Sequence, residues 1–289
     1  MGTRSRVPAL PEQFLNRANG ALSNGFGNVG RRFIVTGSMI HSTAPPLQPL
    51  VVSTLLSVVP ALLLVTGAAF VLAEAFELPT GYIAQSIAVF AGLLLVLLSF
   101  LPQHQPLTRF GAANNVTLSR AGIAALVAGL LGHVAVTPGL AWLLVAFAGL
   151  ALFLDGIDGW LARRSGLQSP FGARFDMEVD AVFILILAAL VYQADKAGAW
   201  VLLSGFMRYG FVALGYALPW LRRPLPPRQR RQTACVIQTL ALALCLTPPL
   251  IPPWTTLLAA TALGFLTLSF LVDIFWLARH SKSEEETTA

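Results

Sequence analysis

Charge is scarce in this chain of 289 residues: Asp, Glu, Lys and Arg together make up 11%. A soluble domain carries about 25%, so the shortage excludes an ordinary water-soluble fold. Hydrophobic residues reach 56% and mean hydropathy is +0.72, which marks an integral membrane protein. Cysteine is nearly absent. Cys235 and Cys245 fall in or beside one apolar segment and make a poor disulfide pair, and no Cys/His spacing suggests zinc. The net charge of +6 does not point to nucleic acid, because nearly all basic residues lie beside apolar segments. The first long apolar run begins near residue 50, too late for a cleaved secretory signal.

Long apolar runs are what the chain has instead. A membrane-spanning helix needs roughly 20 apolar residues. Eight segments qualify: 50–73, 82–101, 121–137, 139–162, 174–194, 199–220, 233–250 and 254–278. Placing the N-terminus in the cytoplasm puts all but two of the 19 basic residues on that side, the exceptions being Lys196 outside and Arg208 in mid-span. This asymmetry predicts eight spans with both ends inside. Glu74 and Glu77 fall in the first outer loop. Residues 1–49 read as a cytoplasmic lead, either mostly disordered or with a short interfacial helix near residues 31–40. Residues 281–289, with Glu284, Glu285 and Glu286, are predicted to be disordered.

Against this apolar background four of the six aspartates crowd into one window: Asp155, Asp158, Asp176 and Asp180. Ionisable groups in membrane segments are costly and mark function. Four neighbouring carboxylates repel, so something positive must hold them, and hard divalent cations prefer oxygen ligands. Asp155 and Asp158 stand three apart on one helix, and Asp176 and Asp180 stand four apart on the next. Each pair therefore shares a face. The turn between the helices contains Gly166 and Pro170. Gly159, Ala162 and Gly172 lie four residues from an aspartate, on the same faces. There they either admit a phosphate-bearing ligand or let helices approach closely.

The spacing Asp155-x-x-Asp158-Gly159-x-x-Ala162-Arg163, eight residues, Gly172-x-x-x-Asp176-x-x-x-Asp180 resembles the full signature of the CDP-alcohol phosphatidyltransferase family. Asn115-Val116-Thr117-Leu118-Ser119-Arg120 is similar to the polar stretch before that family's first core helix. Arg231-Gln232-Thr233, followed by Gln238, resembles the basic segment before its fifth. The resemblance spans about residues 110–280 and implies a six-helix core, with two extra N-terminal transmembrane helices at 50–102. It implies an enzyme that cleaves the pyrophosphate of a CDP-linked lipid donor, releases CMP and joins the substituted phosphate to a small alcohol in phospholipid biosynthesis. Carried over, Asp155, Asp158, Asp176 and Asp180 form a site for two Mg²⁺ or Mn²⁺ ions. Asp180 is also the base that takes the acceptor's hydroxyl proton. Gly159, Ala162 and Gly172 border the CDP moiety, with Arg163 nearby. The implied setting is a bacterial-type inner membrane with the site facing the cytoplasm; a homodimer is one assembly the resemblance allows.

The small size and the basic loop from Arg228 to Arg231 favour CDP-diacylglycerol as donor, with a polar alcohol or alcohol phosphate as acceptor. Asp155-Gly156-Ile157-Asp158-Gly159 and Ser169-Pro170 resemble choline and ethanolamine phosphotransferases, whose acceptor is diacylglycerol. A magnesium-dependent prenyltransferase has paired aspartate motifs farther apart, and a cation transporter would carry them at mid-bilayer. Arg208 either binds an anionic substrate group or pairs with Glu178, which points away from the metal face. Arg222, Arg223, Arg228, Arg230 and Arg231 suit anionic lipid headgroups, with one or two reaching an acceptor phosphate. His104, His133 and the sequon at Asn115 carry no expected role.

Overall fold

The computed structural model describes residues 47–132, 137–165, 169–222 and 229–288. The helix considered near residues 31–40 and His133 lie outside them. The described residues form eight α-helices and three short 3-10 turns, with no strand among them. The helices are α1 (Leu47–Ala75), α2 (Thr80–Phe100), α3 (Ala112–Ala128), α4 (Pro138–Ser165), α5 (Pro170–Gln193), α6 (Leu203–Ala217), α7 (Gln229–Cys245) and α8 (Trp254–Thr288). Each expected span meets one helix, but among the described residues only four stretches are long and apolar enough to cross a membrane: Leu47–Ala75, Thr80–His104, Pro138–Ala162 and Trp254–Arg279. Length and composition alone thus carry four of the eight expected spans. The reason is physical. Helices α3, α6 and α7 have 17, 15 and 17 residues. Helix α5 is long enough, but its first half carries Arg174, Asp176, Glu178 and Asp180.

Two boundaries differ further from expectation. The polar stretch Asn115 to Arg120 was expected to precede a helix beginning at 121, yet α3 starts at Ala112 and contains it. Polar residues hide this helix from a hydropathy reading, although Asn114, Thr117 and Arg120 are all buried. At the other end, α8 continues to Thr288, through most of the tail expected to be disordered. Lys282 and Glu284 to Glu286 are good helix formers and prolong it.

Helix α3 is the central element. It packs against α1, α2, α4 and α5, and its residues from Arg120 to Ala128 are buried without a break. A helix apolar all round belongs inside a bundle. The carbonyls at its end and in the turn beyond are met from α2, where Gln85 Nε2 donates to Ala128 O at 3.0 Å and Leu131 O at 3.1 Å. Helix α6 lies directly on the backbone of α5, and a Cβ at Gly205 would come 2.5 Å from Leu185 Cα. Lys196, after α5, donates Nζ to Thr247 O at 3.3 Å and to Leu250 O, so its charge satisfies carbonyls beyond the end of α7. Thr255 Oγ1 donates to Lys196 O at 2.5 Å and fastens the start of α8 to the same corner.

Candidate active site

Helix α5 begins where it does for a local reason. Ser169 is its N-cap, accepting from Gly172 N at 3.0 Å, and Pro170 follows at the first helical position. Proline costs nothing there, since that N–H has no helical partner. Ser169 is itself held by His104, whose Nδ1 is 2.7 Å from Ser169 Oγ and whose Nε2 is 2.9 Å from Arg109 O. A carbonyl only accepts, so Nε2 carries the proton and Nδ1 accepts from the serine hydroxyl. His104, for which no role was expected, is fully buried and joins the turn after α2 to the start of α5. Phe171 stands edge-on to its ring at 5.1 Å.

From that fixed start, Asp176 and Asp180 emerge about two and three turns further along α5. Asp155 and Asp158 reach the same place from α4. The four aspartates singled out by spacing therefore converge, and the group at their centre is Arg120 of α3. Its Nη1 lies 2.9 Å from Asp158 Oδ2 and 2.5 Å from Asp176 Oδ1, and its Nη2 lies 2.9 Å from Asp155 Oδ1 and also bonds Asp180. Thr117 Oγ1, one turn before Arg120, donates to Asp158 Oδ2 at 3.1 Å. Arg120 and Asp158 are buried, whereas the side chains of Asp155, Asp176 and Asp180 are about one-third exposed, at 28%, 36% and 29%. The site is thus closed at the arginine and open at the carboxylates.

One oxygen from each of Asp155, Asp158 and Asp176 lies within 4.8 Å of the other two. This donor set of hard, anionic oxygens fits a divalent cation such as Mg²⁺ or Mn²⁺. Asp180 is not a member of that trio; its contact is with Arg120 Nη2.

The remaining expected site residues divide. A Cβ on Gly172 would come 2.8 Å from Asn114 Oδ1, so the glycine lets the start of α5 lie against α3. Gly159 and Ala162 are half-buried on α4, on the turns that follow Asp155 and Asp158. The side chain of Arg163 lies outside the described part of the structure. Arg208 takes the structural partner: its Nη2 is 2.6 Å from Glu178 Oε1, and its Nη1 is 3.7 Å from Met177 Sδ. Glu178 accordingly turns toward α6, away from the four aspartates. In the basic segment, Arg230 Nη2 is 2.5 Å from Asp273 Oδ1 and Arg231 Nε is 3.8 Å from Asp273 Oδ2. These two arginines thus clamp the buried Asp273 of α8. The side chain of Arg222, together with Arg223 and Arg228, lies outside the described residues.

From the sequence, Arg120 stood only as a cytoplasmic charge and as the end of the polar stretch from Asn115, Thr117 only as part of that stretch, and His104 without a role, while Asp273 was not marked. Three of these had a signal. Thr117 and Arg120 are three apart on what is now seen to be a helix, and Asp273 is a lone carboxylate in an apolar run.

The model of the CDP-alcohol phosphatidyltransferase family matches residues 110–272, more than half of the chain. No curated protein and no solved structure matches it. The chain belongs to the CDP-alcohol phosphatidyltransferase family and is an integral membrane protein.

Proposed function

We propose that this member of the family transfers a substituted phosphate from CDP-diacylglycerol to the hydroxyl of a small polar alcohol or alcohol phosphate, releasing CMP, in phospholipid synthesis. The observation that carries the reading is the convergence of Asp155, Asp158, Asp176 and Asp180 from two helices, inside the segment that matches the family. Asp155, Asp158 and Asp176 are the primary ligands for Mg²⁺ or Mn²⁺, with Asp180 at the edge of the set. A bound divalent cation supplies counter-charge to the pyrophosphate and to the departing CMP. The chain's residues do the rest. The two helices position the phosphate in line with its acceptor, the main requirement of phosphoryl transfer. Asp180 takes the acceptor's proton, which is consistent with its place outside the compact trio. Gly159, Ala162 and Arg163 border the CDP group. Gly172 contributes by allowing the contact with Asn114.

Eight spans with both termini in the cytoplasm remain the topology that best accounts for the Lys/Arg distribution. They place the aspartate ends of α4 and α5 at the cytoplasmic face of a cell membrane, where nucleotide donors are found.

The test is direct. Purified protein is incubated with Mg²⁺, CDP-diacylglycerol and, in turn, glycerol 3-phosphate, inositol phosphate, serine and choline, and CMP is followed. CMP release with one acceptor is expected. Absence of release with every acceptor, together with release from CDP-choline and diacylglycerol, would overturn the donor assignment.

A further inference from the structure

Arg120 is unusual in being shared by every carboxylate of the site. A single surface pairing would be worth little, but this guanidinium is 5% exposed and spends both terminal nitrogens on four aspartates, while its Nε has no partner. Such burial is stable only because the opposing charges surround it. The same carboxylates form the trio suited to a divalent cation. A guanidinium nitrogen bonded to Asp158 and Asp176 and a cation held by those two residues cannot occupy one gap, and like charges repel steeply at that range.

We propose that Arg120 is the built-in counter-cation of the metal-free site, which an incoming divalent ion must displace from the shared carboxylates. The proposal rests on the reading of these aspartates as metal ligands. One arginine leaves four carboxylates with a net negative charge, so the site still draws cations while its helices stay together. Arg120 thereby sets how much metal is needed to load the enzyme. Thr117, bonded to Asp158 Oδ2, keeps that carboxylate oriented while the guanidinium moves aside.

The experiment uses the full chain in detergent as wild type, R120Q and R120K. Mn²⁺ binding is measured from the electron-spin-resonance signal of free Mn²⁺, and thermal midpoints are taken in EDTA and in Mn²⁺. R120Q should bind Mn²⁺ at least about tenfold more tightly, the least expected when a unit charge beside a divalent ion is lost. It should also melt earlier in EDTA and gain more from Mn²⁺ than wild type does. R120K keeps the charge but cannot fork to four carboxylates, so its affinity should fall between the two; it decides the question if R120Q does not survive purification. Wild-type binding accompanied by equal or weaker binding in both variants overturns the proposal and leaves the metal site standing. Absence of Mn²⁺ binding by wild type removes the metal reading itself, and the proposal with it.

Discussion

His104 Nδ1 lies 2.7 Å from the hydroxyl of Ser169, so a residue at the end of the second helix's turn holds the N-cap of the fifth helix. The contact matters because α5 carries half of the carboxylate site. Serine-to-alanine changes at N-caps cost about 1 kcal/mol. Removing the imidazole leaves the Ser169 hydroxyl and Arg109 carbonyl short of a partner, at about 1–3 kcal/mol. S169A and H104A should therefore both lower the thermal midpoint in detergent, H104A by more. CMP release should fall severalfold in each, through misplacement of Asp176 and Asp180. An unchanged midpoint in H104A would show that the histidine is a bystander.

The pair Arg208–Glu178, 2.6 Å apart, permits a sharper distinction. If the pair is structural, either single change leaves an unpaired charge between α5 and α6, whereas E178Q/R208Q leaves none. The double variant should then be more stable than either single one, and it should keep a substantial share of turnover. If Arg208 instead grips a substrate, R208Q and the double variant should share a raised KM, and E178Q should not. The measurement is a double-mutant cycle in midpoint and KM.

How much of this was legible beforehand depended on whether the signal was local. Asp155, Asp158, Asp176 and Asp180 stood out because charges in apolar helices are expensive, and their spacing put each pair on one face. Gly159, Ala162 and Gly172 were legible either as positions bordering a ligand or as close-approach positions, and the fold shows that Gly172 meets Asn114. Arg120 was hidden because Asn114 to Ser119 depresses hydropathy across the first turns of a helix whose residues from Arg120 to Ala128 are all buried. A hydropathy window reads such a segment as a loop. His104 was illegible for a different reason: its partner is 65 residues away, and no periodicity encodes that contact. Lys196 stood apart from the other basic residues in the sequence, but its attachment to the carbonyls of Thr247 and Leu250 needed the packed bundle.

That attachment also decides how topology should be tested. A cysteine at position 196 would remove a lysine that holds a corner of the fold, so Ile251, 60% exposed between α7 and α8, is the better outer site. In a background without Cys235 and Cys245, I251C should react with an impermeant thiol reagent applied to intact cells. S5C and E285C should react only after permeabilisation. The reverse pattern would overturn the eight-span arrangement.

Asp180 should differ in kind from the other three aspartates. Asp155, Asp158 and Asp176 supply oxygens within 4.8 Å of one another, so D155N, D158N and D176N should each weaken Mn²⁺ and donor binding and abolish CMP release. Asp180 bonds Arg120 from one turn further along α5, where an acceptor hydroxyl beyond the pyrophosphate would lie. A hydroxyl is a poor nucleophile until its proton is taken, and general-base help is worth about 10²–10⁴ in rate. D180N should therefore bind Mn²⁺ and CDP-diacylglycerol nearly as wild type does by calorimetry while turnover falls by about 10²–10⁴. Asparagine keeps the size of the side chain and cannot accept the proton, so the loss should appear in kcat rather than KM. Collapse of donor binding together with turnover would make Asp180 a metal ligand first, and the base would have to be sought among the other groups that face the acceptor.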